Sequence, residues 1–114
     1  MSLDNLIDGR AIAKEVHAET EARVAALKAD GVEPSLVFIR VGEDPASRVY
    51  VGMKERTAAK LGIRSETTVL PEDTSESELL ELLGKLNADN SVHGVLVQAP
   101  LPRYIDETRV FSAV

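Results

Sequence analysis

The spacing of apolar and polar positions divides the chain into alternating helices and strands. From Gly9 to Asp30 the apolar residues recur at helical spacing, with Ile12, Val16, Val24 and Leu27 supplying part of a stripe, and Gly31 ends the segment. Ser35 to Val41 is nearly continuous in apolar residues, as expected of a strand covered on both faces. Gly42-Glu43 then turns the chain into a helix whose limits are explicit: Asp44 as N-cap, Pro45 at the first position, Gly62 as a left-handed C-terminal cap. Ile63 to Leu70 reads as a second strand, β-branched at Thr67-Thr68-Val69, and Pro71 closes it. Ser75 and Glu78 form a capping box ahead of Leu79, Leu80, Leu82, Leu83 and Leu86, a third helix that fades over Asn87 to Asn90. A third strand is predicted over Val92 to Val97. Gln98 to Pro102 must be extended, because Pro100 and Pro102 exclude regular helix. Asp106 is placed to cap a last short helix through Glu107 to Ala113.

The element order α-βαβαβ-α predicts one α/β domain over residues 1–114, a three-layer arrangement with a parallel sheet and helices on both faces. In open parallel sheets, ligands bind outside the carboxyl ends of the strands. Two loops fall there: Gly42 to Ser47 after the first strand, and Gln98 to Pro102 after the third.

The helix after the first strand carries the candidate chemistry. At about 100° per residue, Ala46, Tyr50, Val51, Met53, Thr57, Ala58 and Leu61 gather on one side, with Arg48, Gly52, Glu55, Arg56 and Lys60 on the other. Ser47 and Lys54 break the pattern by landing on the apolar side. A lysine there either snorkels out of the core or is placed for chemistry, since desolvation favours the neutral amine that can take a proton. Ser47, Tyr50 and Lys54 are three and four residues apart and share a face. Tyr50 offers a flat ring for stacking, and Gln98 offers an amide that both donates and accepts, in a loop stiffened by prolines. Spacing alone leaves the packing interpretation of each residue open.

Composition narrows the classes. The formal charge is −6 with no basic cluster, which argues against nucleic acid or an anionic membrane as partner. The chain has no cysteine, so zinc-thiolate sites and cysteine nucleophiles are excluded, and His17 and His93 lack partners at metal-ligand spacing. No metal is expected. His93 is expected to be structural. No G-x-G-x-x-G or G-x-x-x-x-G-K-[ST] pattern occurs, so no dinucleotide or triphosphate cradle is encoded in these residues. Apolar runs are too short to span a bilayer, and Met1 to Asp8 does not resemble a signal peptide. A soluble, cytoplasmic protein is expected.

Two motifs carry a family resemblance. Val41-Gly42-Glu43-Asp44-Pro45-Ala46-Ser47-x-x-Tyr50-Val51-x-x-Lys54 closely resembles the first signature of the bifunctional methylenetetrahydrofolate dehydrogenase/methenyltetrahydrofolate cyclohydrolase family. Asn87-x-Asp89, followed by Gly94-Val95-Leu96-Val97-Gln98-x-Pro100-Leu101-Pro102, resembles the second. The likeness extends to Ile7-Asp8-Gly9 and Ile105-Asp106-Glu107. The resemblance implies a two-domain enzyme of one-carbon metabolism that interconverts methylene-, methenyl- and formyl-tetrahydrofolate. Hydride would pass to NADP, and water would then open the methenyl bridge.

By that resemblance Lys54 is the general acid/base, Gln98 hydrogen-bonds it, and Tyr50 stacks against the folate. Ser47 assists at the pocket edge, while Val97, Pro100 and Leu101 line the folate slot. The resemblance also implies tetrahydrofolate derivatives as ligands, a homodimer at full length, a link to purine biosynthesis, and a separate domain that binds NADP. Ala99 departs from the family's usual leucine and loosens the pocket wall. The chain stops at Val114, ahead of the family's Asp-Val-Asp-Gly-type segment, and so is expected to be the folate-facing part of a larger enzyme. A non-catalytic binding module on the same fold is the alternative from another class.

Overall fold

The computed structural model describes residues 4–114. The expectation that Met1 to Asp8 is not a signal peptide rests partly on Met1, Ser2 and Leu3, which lie outside the described residues. The elements are α1 (Gly9–Ala29), β1 (Ser35–Val41), α2 (Pro45–Leu61), β2 (Arg64–Leu70), α3 (Glu76–Ala88), β3 (Gly94–Val97) and α4 (Glu107–Ser112). The strands form one parallel sheet in the order β2-β1-β3, with β1 in the middle. The expected three-layer α/β domain is what forms.

The central strand is apolar on both sides because both sides are covered. Val37, Ile39 and Val41 point into a core with Leu79 and Leu83 of α3, Val110 of α4, and Val97, Leu101 and Ile105. Ile39, Leu79, Leu83 and Val110 are fully buried; each such side chain is worth about 1.5–3 kcal/mol relative to exposure. Leu36 and Phe38 alternate to the opposite face, toward α2.

Local chemistry sets the ends of α2. The Asp44 carboxylate accepts from the Ser47 N–H at 2.9 Å, and Gly62 adopts φ 81° as the C-cap. A β-carbon on Gly62 would also lie 3.2 Å from Lys28 Nζ, where α1 crosses the end of α2.

Four boundaries shift from expectation, the first being that Asp30 is the C-cap of α1, which ends at Ala29. The Ile63 N–H is used to close α2 on the Ala58 carbonyl, so β2 begins at Arg64. β3 begins at Gly94 instead of Val92. There the His93 imidazole Nδ1 accepts from the Ser35 N–H at 3.0 Å, taking the donor that a ladder carbonyl would otherwise bind. At the end of the chain, Ala113 serves as the C-cap of α4 and lies outside the helix proper. The apolar stripe of α1 is only partly used: Val24 is buried, whereas Ile12 and Val16 remain 50% and 51% exposed.

Candidate active site

The first turns of α2 and the segment leaving β3 meet at the carboxyl end of the sheet. The Gln98 N–H donates to the Ile39 carbonyl at 2.8 Å, extending the β1–β3 ladder by one bond and fixing where the Gln98 side chain starts. Its amide is then oriented. Gln98 Nε2 donates to the Ala99 carbonyl at 2.9 Å, an oxygen that can only accept, so Oε1 is left facing α2. Lys54 Nζ donates to that Oε1 at 2.5 Å.

Ser47 fastens the same loop from the other side. It is 4% exposed, and its hydroxyl lies 3.2 Å from the Ala99 carbonyl and 3.0 Å from Asp44 Oδ2, donating its one hydrogen to either. Asp44 therefore has two roles, capping α2 and holding the Ser47 hydroxyl. The buried stripe of α2 runs through Ser47, Val51 and Ala58. That stripe explains the two residues that broke the apolar pattern: Ser47 and Lys54 turn toward the end of β3.

Tyr50 lies one turn before Lys54 and is 55% exposed, its ring free for a flat partner. Tyr50 and Lys54, with Met53, Phe38 and Leu96 among others, line an apolar groove of about 450 Å³. Pro100 lines a different crevice, of about 370 Å³, with Gly42, Glu43, Asp44 and Glu72. The Leu101 side chain bounds that crevice and is otherwise packed in the core. Val97 is a core residue too. The structure thus brings Ser47, Lys54 and Gln98 together, with Tyr50 beside them, while Val97 and Leu101 support the loop from beneath.

Asn87 and Asp89 of the second signature, unlike its Gln98, lie at the opposite end of the sheet and fasten structure. Asn87 Nδ2 donates to the Ala113 carbonyl at 2.8 Å. Asp89 accepts from the Ser91 hydroxyl and N–H, and these bonds, the hydroxyl's first, hold its carboxyl below the ordinary range. Tyr104 on the loop after β3 donates toward the carbonyls of Glu72 and Thr74. Partial desolvation, then Asp73, Glu72 and Glu78, push its phenol above the ordinary range. Among the described residues, no three His, Asp or Glu side chains are grouped to hold a metal ion. No described helix is long and apolar enough to cross a membrane.

The family model for the tetrahydrofolate dehydrogenase/cyclohydrolase catalytic domain matches residues 7–114. The chain belongs to the tetrahydrofolate dehydrogenase/cyclohydrolase family. Relatives named bifunctional protein FolD, from Geotalea daltonii and Moorella thermoacetica, are each 50% identical over 109 residues. These alignments cover 96% of this chain but 39% of each relative, so the chain spans well under half of their length. Among solved structures, the bifunctional FolD methylenetetrahydrofolate dehydrogenase/cyclohydrolase of Campylobacter jejuni superposes with a TM-score of 0.91 at 38% identity, covering 94% of this chain and 38% of that one. The Trypanosoma brucei FolD, solved with NADP cofactor and an inhibitor, gives 0.85 at 34% identity, covering 95% and 37%. Residues of this family domain that spacing did not reveal include Asp44 in its second role and Glu107, which holds the Leu101 N–H. The three-residue interval from Asp44 to Ser47 was the available signal for the first; for the second it was the place of Glu107 in the family-like segment Ile105-Asp106-Glu107, which does not indicate its partner.

Proposed function

We propose that this chain is the folate-facing domain of a bifunctional methylenetetrahydrofolate dehydrogenase/methenyltetrahydrofolate cyclohydrolase. The observation that carries the reading is the Lys54–Gln98 hydrogen bond at the carboxyl end of the parallel sheet. Tyr50 presents its ring to the pterin, with the neighbouring groove as apolar wall. Ser47 and Asp44 hold the loop that carries Gln98.

The chemistry assigned to the chain is hydrolysis of the cationic methenyl bridge. The water oxygen bonds to the bridging carbon while the Lys54 amine takes one water proton. The remaining hydroxyl proton moves to N5 as the carbon–N5 bond breaks and the formyl carbonyl forms on N10. One proton is released overall. Gln98 Oε1 accepts from the Lys54 nitrogen in either protonation state and keeps it in place through the cycle.

NADP does not fit these residues. In the first turn of α2 the Asp44 carboxylate already accepts from the Ser47 N–H, and Glu43 and Glu72 line the adjoining crevice. A pyrophosphate would meet negative charge there, so no hydride step is derived for this chain, and cofactor binding is assigned to residues outside it. A homodimer of the longer enzyme, a cytoplasmic setting and supply of formyl groups for purine biosynthesis belong to the same proposal.

The test is to follow product formation. A longer enzyme carrying this domain should convert methylenetetrahydrofolate and NADP to formyltetrahydrofolate, whereas purified 1–114 alone should reduce no NADP. NADP reduction by 1–114 would contradict the division of labour, and failure of the longer enzyme to form the formyl product would contradict the assigned reaction.

A further inference from the structure

The loop bearing Gln98 is gripped at a second point. In Pro100-Leu101-Pro102 the two prolines have no N–H, so Leu101 carries the only backbone donor of the three. That donor is used. Glu107 Oε1, from the first residue of α4, accepts from the Leu101 N–H at 2.9 Å. Leu101 is 7% exposed, a setting in which an unpaired N–H is unfavourable.

Glu107 is itself anchored at the start of α4. Glu76 of α3 accepts from the Asp106 N–H at 2.7 Å and from the Arg109 guanidinium at 2.9 Å. Tyr104 pins the intervening loop to the Thr74 carbonyl at 2.7 Å. Restraint thus passes from α3 through Glu107 to Leu101, and back along a proline-stiffened backbone to Ala99 and Gln98. At the far end, Ser47 meets the Ala99 carbonyl.

We infer that Glu107 is a positioning residue for hydrolysis, holding the Gln98–Pro102 loop so that Gln98 Oε1 meets Lys54. The inference rests on the roles given to Lys54 and Gln98 above. What matters is the reach of the Glu107 side chain to the Leu101 N–H, since a neutral amide oxygen at the same distance accepts the same bond. Aspartate keeps an acid in the first turn of α4 but is one methylene too short.

The test uses a full-length enzyme carrying this domain and measures hydrolysis of methenyltetrahydrofolate. Glu107→Gln should keep kcat within about twofold of the parent. Glu107→Asp should lower kcat about tenfold, with KM changed less than about twofold, because misplaced reacting groups lose rate more than affinity. In a Gln98→Ala background, Glu107→Asp should cost nothing further, as expected when one residue acts through the other. Unchanged kcat in Glu107→Asp, additive losses in the double variant, or an equal loss in Glu107→Gln would each overturn the inference. Should Glu107→Asp fail to fold, the parent protein still decides: the Leu101 amide must be protected from hydrogen exchange, and rapid exchange overturns it. Lys54→Met is assayed alongside. If it hydrolyses normally, the roles given to Lys54 and Gln98 fail; if it is inactive while Glu107→Asp is unaffected, only the role of Glu107 fails.

Discussion

The Ser47 hydroxyl lies 3.2 Å from the carbonyl of Ala99, a residue 52 positions later in the chain. This contact joins the two sequence motifs, because Ser47 belongs to the first, in the opening turn of α2, and Ala99 follows Gln98 in the second. It also shares an acceptor: the same Ala99 oxygen receives the Gln98 amide, which turns Oε1 toward Lys54.

Asp44→Ala removes the α2 cap and the second partner of Ser47 together. The expected loss is about 1–2 kcal/mol of stability, the range for deleting an N-cap acceptor. Asp44→Asn, which keeps an acceptor oxygen, should lose less than half of that. Urea unfolding followed by circular dichroism measures both, and equal losses in the two variants would show that the side-chain oxygen is not the stabilising element.

Gly62→Ala places a β-carbon on a residue at φ 81° and within 3.2 Å of Lys28 Nζ. The left-handed conformation costs about 1–2 kcal/mol for a residue with a β-carbon. The lysine end can move aside, so strain in the backbone should dominate. Thermal unfolding should fall by several degrees, and an unchanged midpoint would contradict the left-handed cap.

The Asp89–Ser91 turn gives an acid-side dependence. The Ser91 hydroxyl and N–H favour the charged carboxylate, so the folded pKa is lowered relative to the unfolded chain. The stabilisation is therefore fully present above the unfolded pKa and is lost as pH falls through the folded one. Carboxyl carbon resonances followed by NMR should show Asp89 titrating below the ordinary aspartate range, with Ser91→Ala moving it upward. No movement in Ser91→Ala would assign the shift to something other than that hydroxyl.

Features fixed by local chemistry were legible in the sequence. Asp44, Pro45 and Gly62 bound α2 where their residue types require, and the alternating order of elements led directly to the parallel sheet. Long-range pairings were not. Lys54 stood out as a lysine on an apolar face, but its partner lies 44 residues away; spacing along one helix does not encode it, and only the family resemblance named Gln98. Periodicity marked an apolar stripe on α1 without indicating what would cover it, and Ile12 and Val16 stay largely exposed. Val97 and Leu101, expected to line a slot, pack in the core, and Leu101 also bounds the crevice beside Pro100. Glu107 reads in sequence as an ordinary acid in the first turn of a helix. Only the folded loop reveals which N–H it reaches.

Lys54→Met in a full-length enzyme carrying this domain is the most direct test of the proposed acid/base role. Methionine keeps much of the side chain's length and apolar bulk while removing the amine, so α2 and its groove should stay intact, checked by an unchanged circular dichroism spectrum. Supplied with methenyltetrahydrofolate, the variant should hydrolyse it at least about a hundredfold more slowly than the parent, the lower end of what a positioned acid/base group contributes. A folded Lys54→Met protein that opens the methenyl bridge at the parental rate would contradict the assignment of Lys54 to the chemistry.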